Sequence, residues 1–220
     1  MGKFVSLLKD RALYFSRVSQ FEDPFEGSTT SATLYTEDAA QKSVRGMVAR
    51  SARDHLLACC WHMNNHESEA MWQLYSTSSE SVAIQSTFSK LAACLPDDAL
   101  LATVEYLDFD VDVAPRHNTF QNIVRKRKSF AHEQELRALI WTRVETPERV
   151  SKGEASGRLL SVLERGLQVS VDLSDLVETI RVNPRAPAWF LDVVTDLTHR
   201  YDPCLSSRLS KSDLLRNPVF

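Results

Sequence analysis

The spacing of apolar and polar residues along the chain predicts short helices and strands that alternate irregularly. Helical spacing of apolar residues, or an apolar face, predicts helices over residues 3–10, 37–53, 88–95, 118–130 and 188–201. Alternating or continuous runs of β-forming residues predict strands over residues 12–16, 56–61, 81–86, 101–111, 133–144, 167–173 and 177–183. A further helix, capped by Asn64 or Asn65, is expected to carry Met71, Trp72 and Tyr75, with Trp72 and Tyr75 in the core.

The clearest strand covers residues 133–144. Its second half is apolar on both faces, which is typical of a central strand in a sheet. Because side chains alternate along a strand, its first half is expected to place Glu133, Glu135 and Arg137 on one face. This pattern indicates either an acidic group presented into a cleft or a strand-edge ion pair.

The order of elements predicts an α+β fold, with one mixed or mostly antiparallel sheet flanked by helices. There is no regular βαβ period, no internal repeat and no linker, so a single domain over residues 1–220 is expected. Residues 147–157 are polar and predict an insertion loop in that domain.

Amino-acid composition excludes few classes of function. Apolar residues make up 43% of the 220 residues and charged residues 25%, which is ordinary for a globular protein. A net charge of -3 gives no general attraction to nucleic acid or an anionic membrane. No secretory signal or long apolar run is apparent, and the four cysteines are expected to be reduced thiols. We therefore expect a cytoplasmic protein with no membrane partner.

Several short motifs carry a family resemblance. They are Leu13-Tyr14-Phe15-Ser16, Phe21-Glu22-Asp23-Pro24-Phe25-Glu26, Cys60-Trp61-His62, Met71-Trp72-Gln73-Leu74-Tyr75, Val82-Ala83-Ile84, Phe130-Ala131-His132-Glu133-Gln134-Glu135-Leu136-Arg137 and Val182-Asn183-Pro184-Arg185-Ala186. In this order the chain resembles the bacterial family called domain of unknown function 2971, over about residues 13–209. The family often begins with a further N-terminal strand, which is shortened here, and Glu80-Ser81 stand where the family usually has Gly before the strand that follows the Met-Trp-Tyr motif. The resemblance implies a shared fold and no settled activity.

A second resemblance suggests chemistry. Glu133-Gln134-Glu135 is similar to the Glu-x-Glu element of arginine-type ADP-ribosyltransferases. That resemblance implies NAD as cofactor and a carboxylate that stabilises the cation formed when the nicotinamide bond breaks. The residues it implicates in catalysis are Glu135, Tyr75 and Glu133. Those it implicates in cofactor binding are Arg17, Ser16, Trp61, His62, Ser76 and Arg137. Such an enzyme would be a toxin or defence effector acting on a protein or nucleic-acid target.

Other interpretations stay open. The chain could be a non-catalytic module that binds or senses a small molecule or nucleotide, with its polar residues structural. It could also be a metal-dependent hydrolase around His62 and His66, although no third ligand is evident and no metal site is predicted. The basic run from Arg125 to Lys128 predicts a solvated helix end, with a phosphate-binding patch as the alternative. Cys59 or Cys60 would need exposure and a base to act as a nucleophile.

Overall fold

Helices and short strands interleave along the chain, and the structure confirms the predicted α+β class. It is a computed structural model that describes residues 1–114, 119–142, 166–216 and 218. The chain divides into two compact units. The first comprises Met1–Leu13, Asn64–Pro96 and Val169–Phe220, and the second comprises Tyr14–Met63 and Asp97–Gln168. The predicted insertion loop at 147–157 lies outside the described residues.

Most elements follow the predicted order, but two short helices, at Ser31–Tyr35 and Leu173–Leu176, were not predicted. The described helices are α1 (Gly2–Asp10), α2 (Ser31–Tyr35), α3 (Ala39–His55), α4 (Glu69–Tyr75), α5 (Phe88–Cys94), α6 (Thr119–Ile123), α7 (Leu173–Leu176) and α8 (Ala188–Tyr201). The described strands are β1 (Ala12–Arg17), β2 (Leu56–His62), β3 (Val82–Gln85), β4 (Leu100–Thr103), β5 (Glu105–Leu107), β6 (Arg125–Arg127), β7 (Glu135–Trp141), β8 (Leu167–Ser170), β9 (Thr179–Val182) and β10 (Leu209–Lys211). No helix in these parts of the chain has the length and apolar character that a membrane span requires.

The first unit contains a three-stranded sheet in the order β10-β9-β3. The central strand β9 runs parallel to β10 and antiparallel to β3. Its core includes Ile180 and Phe190, and Trp72 on α4 is buried as predicted, with 8% of its surface exposed. Tyr75, predicted to be a core residue, is instead 67% exposed because α4 ends there.

The cap of α4 also differs from the prediction. Neither Asn64 nor Asn65 caps this helix; the Ser68 hydroxyl does, by accepting a hydrogen bond from the Met71 N–H at 3.3 Å. The Asn64 side chain instead accepts a bond from the backbone N–H of His66, which closes a turn before the helix.

The second unit is built on a five-stranded sheet in the order β4-β7-β2-β1-β8, and the boundary between the units falls within β1 and β8. Strand β7 is antiparallel to both its neighbours and buried along nearly its whole length, as expected of a central strand. Apolar residues from β2, β7, α3, α6 and the 3-10 turn after β1 form a core cluster: Val18, Ala52, Leu56, Ala58, Ile123 and Leu139.

Two predicted elements are wrong because tertiary contacts override local pattern. The helix expected over 118–130 is only one short turn of helix, α6, followed by strand β6, which pairs in parallel with β5. A 3-10 turn over Lys128–Glu133 then leads into β7, so Glu133 is not part of that strand. The strand expected over 101–111 is instead two strands, β4 and β5, which belong to different sheets. The chain changes sheet at Val104, whose N–H donates to the Glu135 carbonyl, whereas the next N–H, of Glu105, donates to the Val124 carbonyl.

The turn that follows β1 depends on one glycine. Gly27 has a φ of +74°, which favours glycine. A Cβ atom at Gly27 would lie 2.7 Å from Ile123 Cδ1 and 2.8 Å from Arg53 Cγ, so a larger residue cannot fit without displacing both.

We expect Gly27→Ala to destabilise the protein by about 1–3 kcal/mol, because it combines an unfavourable φ with two steric clashes. Gly46→Ala is the matched control, because Gly46 lies inside α3 and its Cβ would meet only the flexible end of Arg50. That variant should gain about 0.5–1 kcal/mol from helix propensity. Urea denaturation measures both, and equal midpoints for the two variants would contradict the role given to Gly27.

Candidate functional site

One face of the β2–β7 pair changes from apolar to ionisable along its length. Directly opposed residues of antiparallel strands share a face, and alternate positions repeat that face. The opposed pairs on this face are, in order, Leu56 with Trp141, Ala58 with Leu139, Cys60 with Arg137 and His62 with Glu135. The apolar end joins the core, and the ionisable end holds the predicted Glu135 and Arg137.

Five charged residues meet at this end and are called the Arg137 cluster: Glu26, Lys126, Glu133, Glu135 and Arg137. The Arg137 side chain is fully buried, and each of its five N–H groups donates a hydrogen bond. Its Nε and Nη2 donate to Glu135 Oε2 at 3.0 and 2.6 Å. Its Nη1 and Nη2 donate to the two Glu26 oxygens at 2.8 and 2.9 Å, and Nη1 also donates to the Ile123 carbonyl at 2.6 Å.

Lys126 is the second cation of the cluster. Its Nζ lies 2.5 Å from Glu133, 3.4 Å from Glu26 and 3.8 Å from Glu135. Burial disfavours the charged forms of Lys126 and Arg137, but their carboxylate partners outweigh it, and the pKa of each is raised. The cluster therefore holds three carboxylates and two permanent cations.

Aromatic rings and a second ion pair surround the cluster. The Arg137 guanidinium lies 5.2 Å from the Phe21 ring centroid. The Arg127 guanidinium lies 4.3 Å from the Phe25 ring and donates to Asp23 at 2.9 Å. These contacts fix the turn-rich loop at residues 21–27 against β6 and β7.

The basic run beside the cluster is neutralised. Each of its four residues forms an ion pair with a carboxylate of the same unit: Arg125 with Glu105, Lys126 with Glu133, Arg127 with Asp23 and Lys128 with Asp112. Arg125 and Lys126 are buried. The prediction of a solvated basic helix end is therefore wrong, and the run offers little uncompensated charge to a phosphate.

The register separates some of the predicted cofactor-binding residues from Glu135. Arg17 opposes Leu57, and Trp61 opposes Leu136, so both side chains point to the other face of the sheet. Ser16 opposes Ala58 and shares the face of Glu135. The expected pairing of Arg17 with Glu135 on one face is thus not formed, because their positions differ by one residue in register.

His62 lies on the face of Glu135 and directly opposite it. Its Nδ1 donates to the Glu133 carbonyl at 2.6 Å, and its Nε2 is buried without a protein partner among the described residues. In that part of the chain, no three His, Cys, Asp or Glu residues are grouped so that they could hold a metal ion. The metal-dependent interpretation therefore gains no support from His62.

Cys59 does not have the properties of a nucleophile. Burial raises the pKa of its thiol to about 11 and outweighs the opposing hydrogen bond with Trp61. The thiol is therefore protonated at neutral pH, whereas the thiolate is the reactive form.

The other predicted residues, Tyr75 and Ser76, belong to the first unit. Ser76 lines a pocket of about 370 Å³, called the Trp72 pocket, whose lining residues are Trp72, Gln73, Ser76, Ser78, Ser79, Asn183 and Arg185. Whether Tyr75 acts with Glu135 stays a prediction. A second pocket of about 550 Å³ in the same unit is mainly acidic, and its Arg11 pairs with Asp172 and Asp202.

Hydrogen bonds build one wall of the Trp72 pocket. The buried Asn183 side chain donates to Ser81 Oγ at 2.9 Å and accepts from the backbone N–H of Arg185 at 2.8 Å. Ser76 Oγ lies 2.7 Å from Ser81 Oγ. The turn of the Asn183-Pro184-Arg185 segment therefore places the Arg185 side chain at the pocket.

Arg185 forms an exposed ion pair at the pocket. Its Nη1 lies 2.5 Å from Glu69 Oε1, and the two side chains are 48% and 37% exposed. Gln73 also donates to Glu69, at 3.1 Å. Hydrogen bonds from Arg185 and Gln73 lower the pKa of Glu69, so this carboxylate is ionised at neutral pH.

The sequence did not single out Asn183 or Arg185 as site residues, nor Glu26 as the partner of Arg137. The Asn183 and Arg185 motif was visible only as part of the family resemblance, and Glu26 was expected to cap its loop or to face the cleft. Comparison with known proteins identifies no further site residues, because no protein family, curated protein or solved structure matches the chain.

We expect Arg137→Met to destabilise the protein by about 3–5 kcal/mol, because it leaves Glu26 and Glu135 buried with only Lys126 as counter-ion. Glu135→Gln should cost less, about 1–3 kcal/mol, because the amide oxygen still accepts from Arg137 and the cluster becomes neutral. Arg200→Met, in an exposed pair with Asp196, should cost under about 1 kcal/mol. Urea denaturation of the three variants tests this order. A decrease in the free energy of unfolding that is no larger for Arg137→Met than for Arg200→Met would refute it.

Proposed function

We propose that the chain is a non-catalytic module that binds a small molecule in the Trp72 pocket. The observation that carries the non-catalytic part of this proposal is that the Glu135 carboxylate is already bound within the protein. Its Oε2 accepts two hydrogen bonds from Arg137, its Oε1 lies 3.8 Å from Lys126 Nζ, and its side chain is buried. A carboxylate held in this way acts as a counter-ion within the protein.

The same contacts weigh against NAD cleavage. A carboxylate that stabilises a developing cation must face the substrate, and its own counter-ions must not already neutralise it. Arg137 has no N–H left for a pyrophosphate, since all five are used within the protein. An ADP-ribosyltransferase that relied on Glu135 would have to dismantle the Arg137 cluster first.

The Trp72 pocket is open to solvent, and its size and lining groups support its choice as a small-molecule site. Its volume of about 370 Å³ falls within the range of about 300–1,000 Å³ that is usual for ligand pockets. An indole wall, hydroxyl and amide groups and one guanidinium line it. It also contains Ser76, which the sequence implicated in ligand binding.

A thermal-shift screen of nucleosides, nucleotides, sugar phosphates and amino acids tests the proposal. Ligands that bind the folded protein should raise its Tm. Ser79→Trp should abolish the shift, because it places a large side chain in the pocket wall. Ser89→Trp is the matched control, since Ser89 is exposed on α5 of the same unit and does not line the pocket.

The enzymatic alternative is tested in parallel by incubation with labelled NAD, alone and with cell lysate. We expect neither nicotinamide release nor transfer of label by the unmodified chain. NAD turnover that disappears in Glu135→Gln, measured at a temperature where that variant is folded, would overturn the proposal in favour of an ADP-ribosyltransferase. A ligand-induced Tm shift that is unchanged in Ser79→Trp would show that the ligand binds outside the Trp72 pocket.

A further inference from the structure

We infer that the Trp72 pocket recognises a phosphate group on its ligand, with Arg185 as the main anion-binding residue. This inference rests on the proposed function and adds the chemical class of the ligand. It follows from the unused hydrogen-bonding capacity of Arg185, from the hydroxyl groups beside it and from the ion pair with Glu69.

The Arg185 guanidinium has hydrogen-bond donors that no described residue uses. A guanidinium carries five N–H groups in a planar fork that matches a phosphate or carboxylate. Among the described residues its side chain has one ionic partner, Glu69, which it contacts through Nη1. Its Nε and Nη2 groups donate to no residue in that part of the chain, and the side chain is half exposed at the pocket. An entering anion can therefore be bound without breaking the buried structure.

Serine hydroxyls add to the donor set, chiefly those of Ser78 and Ser79, because the Ser76 hydroxyl already contacts Ser81 Oγ at 2.7 Å. Ser76, Ser78 and Ser79 line the same pocket as Arg185. Ser78 Oγ accepts from the Glu80 N–H, so its own O–H is left to donate. Ser79 is exposed at the pocket. A guanidinium with several hydroxyls suits the tetrahedral, multiply charged phosphate better than the planar, singly charged carboxylate, because more acceptor oxygens are satisfied.

Glu69 acts as an internal competitor for Arg185. Its Oε1 contacts the guanidinium, while its Oε2 is buried without a hydrogen-bond partner among the described residues. A bound phosphate must share or displace this carboxylate, and the two anions repel each other. Removal of the Glu69 charge should consequently strengthen phosphate binding, whereas a purely structural Glu69–Arg185 pair would give no such gain.

The pocket also has room for more than the phosphate. Trp72 supplies an apolar wall, and the volume of about 370 Å³ exceeds that needed for one phosphate group. The ligand class is therefore a phosphorylated small molecule of up to about mononucleotide size.

Isothermal titration of the full chain with inorganic phosphate, adenosine monophosphate and adenosine tests the inference. We expect the monophosphate to bind more tightly than adenosine, and inorganic phosphate to compete with it. Arg185→Gln should weaken monophosphate binding at least about tenfold, the loss of one good charge-assisted contact. Arg200→Gln is the control, because it makes the same charge change in the exposed Arg200–Asp196 pair of the same unit.

Glu69→Gln should tighten binding of the monophosphate by about threefold to tenfold. Asp196→Asn controls for the change in net charge and should leave the affinity unchanged. Phosphate affinity that is insensitive to both Arg185→Gln and Glu69→Gln, or no binding of either phosphate probe at millimolar concentration, would overturn the inference. If that result came with a neutral ligand whose Tm shift Ser79→Trp abolishes, the proposed function would still hold and only the phosphate inference would be wrong. NAD turnover that depends on Glu135 would instead contradict the proposed function itself.

Discussion

The second unit depends on how the buried guanidinium of Arg137 obtains its hydrogen bonds. A buried cation is costly unless every donor is satisfied and a counter-ion is present. Glu26 reaches it from the loop after β1, Glu135 from its own strand, and Ile123 from the end of α6. The need of Arg137 for these hydrogen bonds therefore fixes a loop, a strand end and a helix end relative to each other. Apolar contacts alone are not directional and would fix these three segments less strictly.

Charge balance in the cluster accounts for the conformation of the neighbouring basic run. With three carboxylates against Arg137, the cluster needs a second cation, and Lys126 supplies it from β6. Extended backbone at β6 sends neighbouring side chains to opposite sides, which allows Lys126 to face the cluster while Arg125 and Arg127 reach Glu105 and Asp23. A helix through the same residues would distribute these side chains every 100° and would lose that arrangement.

Local pattern predicts much of the fold, and it fails where partners are distant in sequence. The placement of Glu135 and Arg137 on one face follows from strand alternation, and the structure has it. Glu26 lies 111 residues from Arg137, so no spacing rule could pair them. The Trp72 pocket likewise joins Ser76 to Asn183 and Arg185 from a distant segment. Sequence order suggested that Arg17 and Glu135 act together, but faces of a sheet are set by register, which differs by one residue between them.

Two of the arginine–carboxylate pairs among the described residues, Arg137 with Glu26 and Glu135, and Arg185 with Glu69, differ sharply in burial. Arg137 is fully buried, so an incoming anion would have to replace contacts whose loss leaves carboxylates unpaired in a low-dielectric interior. Arg185 is 48% exposed, and water can solvate Glu69 when an anion takes its place. The free energy needed to exchange a partner is thus large at Arg137 and small at Arg185. Burial, rather than residue type, therefore distinguishes the two arginines, and it is the reason we propose Arg185, not Arg137, as the ligand-binding arginine.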